Sequence, residues 1–425
     1  MENYLNLSPA RRDEELEALR ALYETEKAKK LSLNMARGVP SPAQLDLTMD
    51  MMDIPFSELI KSEDGTDTRN YGGLSGTVEA KRLFSEILGV SPENIIVCGQ
   101  SSLSLMYDCM IKAMVLGVLG GSKPWGQQGE IKFLCPAPGY DRHFRISQEF
   151  GMKLINIPMS PTGPDMDMVR EYVENDPSVK GIWCVPKYSN PQGYTYSPET
   201  VEAFAALRPA ADDFRIFWDN AYAVHCFSDE DDYLPDIFSL CEKYGTENMV
   251  YEFASTSKVT FPGAGVAVIA ASKDNIAFLL KQMGVQIISY DKINMQRHAL
   301  YLKDMDGVKA QMKKLASVIR PKFEITLSTL EENLAGFGIG EWTKPRGGYF
   351  VCYKGLPGTA ARCVKLCADA GVKLTAAGAP FPYGIDPEDS TIRIAPTFPT
   401  PEQLKASIEL FCLCQKIAAL ESLKG

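Results

Sequence analysis

From Asn94 onward, short apolar runs alternate with stretches of helical character, and this alternation limits the fold more than any other property of the chain. The runs are Ile95-Ile96-Val97-Cys98, Ile131-Lys132-Phe133-Leu134, Lys153-Leu154-Ile155-Asn156-Ile157, Gly181-Ile182-Trp183-Cys184-Val185 and Arg215-Ile216-Phe217-Trp218. Spaced by helices, such runs predict a mainly parallel sheet covered on both faces, an α/β fold. Open sheets of this kind place ligands beyond the carboxyl ends of their strands. Asn190 and Asp219 fall at such ends. Around Leu300 the pattern becomes a long helical stretch reaching Leu334, with a kink expected at Pro321. It leads to a C-terminal α/β segment containing Gly347-Gly348-Tyr349-Phe350-Val351 and Arg393. At the other end, Ser8-Pro9 reads as N-cap and first helical position, followed by an apolar stripe of Leu16, Leu19, Leu22 and Tyr23. Three parts are expected: an N-terminal helix and segment over 1–60, a large domain over 61–305 and a small domain over 306–425.

Composition removes several classes of function. The 425 residues are 45% hydrophobic and 23% charged, with a formal net charge of −10. That balance suits a globular chain and disfavours nucleic acid or an anionic membrane as partner, since both demand surplus positive charge. No run of about 18 apolar residues appears, and Met1-Glu2-Asn3-Tyr4-Leu5-Asn6 lacks the basic and apolar regions of a secretory leader. Eleven cysteines without a Cys-x-x-Cys spacing point to a reducing cytoplasm. The three histidines, His143, His225 and His298, have no metal-ligand spacing, so no metal site is expected. His225 reads as a satisfied structural histidine.

Lys258 carries the chemistry. It ends Ala254-Ser255-Thr256-Ser257-Lys258, between the apolar runs Met249–Phe253 and Gly265–Ala270. A lysine held there loses its proton more readily than a solvated one, and a neutral amine can attack an aldehyde to form a Schiff base. Upstream lie Asn190-Pro191-Gln192-Gly193 and Trp218-Asp219-Asn220-Ala221-Tyr222. Alone, each would read as a turn or cap. In this order the three form a set.

With Tyr71-Gly72-Gly73, Pro138-Gly139-Tyr140 and Arg393, the set resembles the class I/II aminotransferases of fold type I, over residues 30 to 400. Gly99-Gln100-Ser101-Ser102-Leu103 and Ser257–Gly265 are similar to the alanine-aminotransferase-like subgroup related to MocR regulators, which includes aspartate aminotransferases. The resemblance implies a seven-stranded, mainly parallel sheet in the large domain and pyridoxal 5'-phosphate as cofactor. Lys258 would bind the cofactor and serve as the base, Asp219 would pair with its ring nitrogen, and Tyr222 and Asn190 would hydrogen-bond its phenolic oxygen. Tyr140 would stack on the ring, while Gln100, Ser101 and Ser102, at a helix start, would hold the phosphate with Ser255 and Ser257. Tyr71 would reach the phosphate of a neighbouring subunit's cofactor, implying a homodimer. Arg393 would grip the substrate α-carboxylate, and Gly38 would let the N-terminal segment pass close by. One departure stands out: the arginine usual eight residues after the lysine is Val266 here.

The resemblance implies transamination from an amino acid to a 2-oxo acid, with aspartate as first donor and 2-oxoglutarate as acceptor. Alanine and aminoadipate are alternative donors. Carbon–sulfur β-elimination is another reading, because the shared residues fix the cofactor and not the fate of the carbanion. A regulator's effector module is a third, disfavoured by the short stretch before the first match and by acidic Glu14-Glu15-Leu16-Glu17. A dicarboxylic donor needs a second cation, for which Arg37, Lys292 and Arg297 are candidates.

Overall fold

The computed structural model describes residues 2–424. Its main sheet has eight strands, in the order Ile95–Val97, Ala267–Ala271, Val250–Ser255, Arg215–Asp219, Val179–Cys184, Lys132–Ala137, Lys153–Ser160 and Gly163–Pro164. From Val250–Ser255 to Lys153–Ser160 all neighbours pair in parallel. Ala267–Ala271 is antiparallel to both of its neighbours. Seven strands are expected from sequence; the eighth, two residues long, arises where the chain reverses after Ser160, whose hydroxyl donates to the Gly163 carbonyl at 2.9 Å.

Strands buried on both faces need apolar side chains on both, and alternate residues divide accordingly. Ile182, Trp218, Val250 and Val268 join one core with Phe84 and Phe204. Trp183, Phe217, Tyr251 and Ile269 face the other, with Met106 and Phe133. A third core fills the C-terminal part, where helices Met305–Leu334, Ala360–Asp369 and Pro401–Ser422 pack on a sheet of Gly340–Trp342, Val351–Gly355 and Thr391–Ile394. The long helix continues through Pro321 from Met305 to Leu334.

Helix Pro9–Ala28 begins as read, with Ser8 as N-cap and Pro9 in the first turn. It joins the third core through Leu16, Leu19 and Tyr23, and the Tyr23 hydroxyl donates to the Leu366 carbonyl at 2.9 Å. Leu22, placed in the same stripe from sequence, is exposed. Residues 16, 19 and 23 follow helical periodicity on one side, and position 22 falls off its edge. Beyond this helix, Leu33–Asn34 pairs in parallel with Val372–Lys373, anchoring the segment that carries Gly38. No helix among the described residues is long and apolar enough to cross a membrane.

Candidate active site

Five strands running in one direction end at the same edge of the main sheet, and each end supplies part of one site. Asp219 is the last residue of Arg215–Asp219. Lys258 follows Val250–Ser255, Asn190 follows Val179–Cys184, Tyr140 follows Lys132–Ala137, and Gln100 with Ser101 follows Ile95–Val97. This convergence follows from the parallel topology.

Asp219 is almost fully buried. Its Oδ2 lies 3.0 Å from Nε2 of His143, while Oδ1 is buried with no hydrogen-bond partner among the described residues. His143 stacks on Trp183 at 4.4 Å with 10° between the planes, and meets the Tyr140 ring edge-on at 4.8 Å. The Lys258 amine sits 5.2 Å from the centre of the Tyr222 ring and 5.7 Å from that of Tyr349. Burial pushes its pKa below the usual lysine value, with the Asp219 charge acting in opposition. The same burial raises the Tyr222 phenol well above its ordinary range. Burial, with Asp219 and Asp141 nearby, pushes Tyr140 up to about 12.

Arg393 and Asn190 meet across the site. Nη1 of Arg393 donates to Asn190 Oδ1 at 3.2 Å and to Asp141 Oδ1 at 2.9 Å, and Nε reaches Thr375 Oγ1 at 3.4 Å. The guanidinium lies 4.9 Å over the Phe350 ring. Gly38 rests on that ring: a Cβ there would come within 2.6 Å of it, so only glycine lets the N-terminal segment pass. Gly347 has a similar duty, since a Cβ would meet the Tyr188 ring at 2.3 Å, and its absence lets Tyr349 and Phe350 enter.

At the far end, Ser101 caps helix Ser102–Val115 and accepts from the Ser104 amide at 3.4 Å. Ser255 donates to Ser257 at 3.0 Å. A helix N-terminus flanked by hydroxyls suits a phosphate. Gln100 is exposed and Ser102 half-buried at the same helix start. Val266 is buried in the apolar core, so that position contributes no charge to the cup.

Other sequence candidates lie elsewhere or differ in state. Tyr71 is 78% exposed beside Ser289–Lys292, outside the cluster formed within one chain. Lys292 donates to the Asn70 and Gly72 carbonyls, both at 2.7 Å, and so holds the Tyr71 loop. Arg297 is half-buried with its Nε unpartnered among the described residues, and Arg37 is exposed. His225 corrects the expectation of a satisfied histidine: both ring nitrogens are buried without a partner among the described residues, and burial, with Lys258 nearby, lowers its pKa to about 3. His143, Asp141, Tyr349 and Phe350 were not singled out for the site from sequence. The one signal for His143 was its place three residues after Tyr140.

The aspartate amino-transferase family model matches residues 7–425. The protein belongs to this family. A Mycolicibacterium smegmatis protein bearing an aminotransferase name is 45% identical over 405 residues, covering 95% of each chain. Aspartate aminotransferase of Corynebacterium glutamicum is 40% identical over 405 residues, 95% of this chain and 94% of that one. The crystal structure of an aspartate transaminase from Corynebacterium glutamicum superposes with a TM-score of 0.97 at 39% identity, covering 99% of both chains. The protein is thus an aminotransferase with the fold type I architecture.

The residues of this aminotransferase fit pyridoxal 5'-phosphate. The unpartnered Asp219 Oδ1 requires a buried proton donor, which a protonated ring nitrogen supplies. A lysine whose pKa burial lowers, with the Asp219 charge acting in opposition, and a capped helix start follow strands of the same sheet edge.

Proposed function

We propose that this aminotransferase moves the amino group of L-aspartate to 2-oxoglutarate as a homodimer. The observation that carries the donor assignment is the end-to-end likeness to the Corynebacterium glutamicum aspartate aminotransferase. Pyridoxal 5'-phosphate supplies an aldehyde carbon to carry the amino group and a ring that acts as an electron sink. Lys258, whose amine is kept neutral more easily by burial, would hold the cofactor through its aldehyde carbon and, once the substrate amine has displaced it there, its freed amine would take the proton from the substrate α carbon. Asp219 keeps the ring nitrogen protonated through Oδ1, while His143 fixes Oδ2. Tyr222 and Asn190 would donate to the phenolic oxygen, and Tyr140 would cover the ring. Gln100, Ser101, Ser102, Ser255 and Ser257 would hold the phosphate. Arg393 takes the substrate α-carboxylate.

Arg37 takes the second carboxylate in this reading. It adjoins Gly38, which packs on the Phe350 ring beneath Arg393, and its side chain is exposed. The dimer is supported by Tyr71, Val285 and Ile288, exposed apolar residues lining one surface hollow. For the division into 1–60, 61–305 and 306–425, the support is a core whose members lie mostly beyond residue 305, joined by Leu16, Leu19 and Tyr23 of the N-terminal helix and by a few residues of the large part such as Leu83 and Val259. A reducing cytoplasm is supported by eleven free cysteines.

A donor screen at fixed 2-oxoglutarate tests the reading. Aspartate should exceed alanine, aminoadipate and aromatic donors in kcat/KM, and Arg37→Leu should raise KM for aspartate while sparing alanine. A tenfold preference for another donor, about 1.4 kcal/mol of transition-state discrimination, would remove aspartate and leave transamination standing.

A further inference from the structure

Arg393 is not a free cation. Its Nη1 group is taken by Asp141 at 2.9 Å and Asn190 at 3.2 Å, and its Nε by the weaker Thr375 contact at 3.4 Å. A carboxylate gripped by both terminal nitrogens of a guanidinium must occupy Nη1, where the Asp141 carboxylate already sits. The two partners differ in freedom. The Arg393 side chain is 6% exposed and lies over Phe350, whereas that of Asp141 is 32% exposed at the first turn of helix Asp141–Glu149. Asp141 can therefore turn into water at little cost, while Arg393 cannot leave without burying an unpaired charge.

We propose that Asp141 is a displaceable stand-in for the substrate carboxylate: it orients and neutralises Arg393 in the empty site and yields when a ligand carboxylate arrives. Affinity is lowered for every ligand by the cost of displacing Asp141. In return, ligands that cannot replace it, such as amines without a carboxylate and weakly binding anions, are refused. Asp141 is thus a specificity-determining residue that acts on Arg393 before substrate does. The inference rests on Arg393 as the α-carboxylate site.

The test is equilibrium binding of succinate, which cannot react, to the holoenzyme, followed by the visible absorbance of the bound cofactor. Asp141→Asn and Asp141→Ser should both bind succinate about tenfold tighter, the scale of one charge-assisted hydrogen bond no longer broken on binding. Chloride should become a stronger competitor in the same variants. A merely structural Asp141 gives the opposite sign, because a loosened Arg393 binds carboxylates more weakly. Unchanged or weakened succinate binding in both variants would overturn the proposal. Arg393→Lys separates the underlying reading: if it binds succinate as tightly as the parent enzyme, Arg393 is not the carboxylate site, and the role of Asp141 falls with it.

Discussion

Asp219 and His143 share a 3.0 Å hydrogen bond between side chains that are both almost wholly buried. His143 is held flat against Trp183, so it fixes one oxygen of Asp219 and leaves the other directed to a single acceptor role. Replacing it with phenylalanine keeps the stacking and removes the hydrogen bond. His143→Phe should lower kcat by about ten- to a hundredfold, the scale of a hydrogen bond to a charged group. Asp219→Asn should cost more, because an amide cannot hold the ring nitrogen protonated. Steady-state kinetics at saturating substrate check the ranking. A His143→Phe enzyme with parental kcat would show that Asp219 needs no partner.

Lys258→Ala should lose the visible absorbance of the lysine-bound cofactor and at least about a thousandfold in turnover, since both attachment and proton transfer depend on its amine. Absorbance and single-turnover kinetics measure the two losses separately. Near-parental turnover in this variant is incompatible with the site described.

The parts of this site visible in the sequence sit next to strand ends. Lys258, Asp219, Asn190 and Tyr140 each follow an apolar run, and local pattern locates such positions. The parts that stayed hidden depend on contacts between distant segments. His143 meets Asp219 from 76 residues away, and Asp141 meets Arg393 from 252. Neither pairing leaves a periodic trace. Charge alone also misleads: Lys292 looks like a substrate cation in sequence, yet two backbone carbonyls claim it. The principal strands were legible because buried parallel strands are continuously apolar, whereas the two-residue strand at Gly163 depends on how one turn closes.

That use of Lys292 is testable through Tyr71. Burial lowers the Lys292 pKa, yet its two short bonds to Asn70 and Gly72 fix the loop between them. Lys292→Met leaves both carbonyls without this donor and should destabilise the loop by about 1–3 kcal/mol. Limited proteolysis should show faster cleavage near Tyr71, and analytical ultracentrifugation a weaker association of the proposed dimer. The ratio of aspartate to alanine kcat/KM should stay within about twofold, a free-energy difference under 0.5 kcal/mol. A selective loss of aspartate activity would return Lys292 to the substrate pocket.

Glu252 should give the aminotransferase a stability that varies with pH. It lies on the strand Val250–Ser255, buried, and accepts from Asn220 Nδ2 at 2.9 Å. Burial pushes its carboxyl from the usual 4.5 up to about 8, with the Asn220 bond opposing and Asp236 adding to the rise. Between these values the folded protein keeps a proton that the unfolded chain releases. The folded state therefore binds more protons, and its stability falls as pH rises. The contribution is fully present below pH 4.5 and is lost as pH passes through 8. Its full size is of the order of a few kcal/mol, since each pKa unit corresponds to about 1.4 kcal/mol. Glu252→Gln keeps an acceptor for Asn220 but cannot ionise, so it should match the parent near pH 5 and exceed it near pH 8.5. Urea denaturation at both pH values, read as the difference between the two proteins, measures this directly. Parallel behaviour at both pH values would mean that Glu252 is already ionised in the fold, and that the surrounding core tolerates its charge.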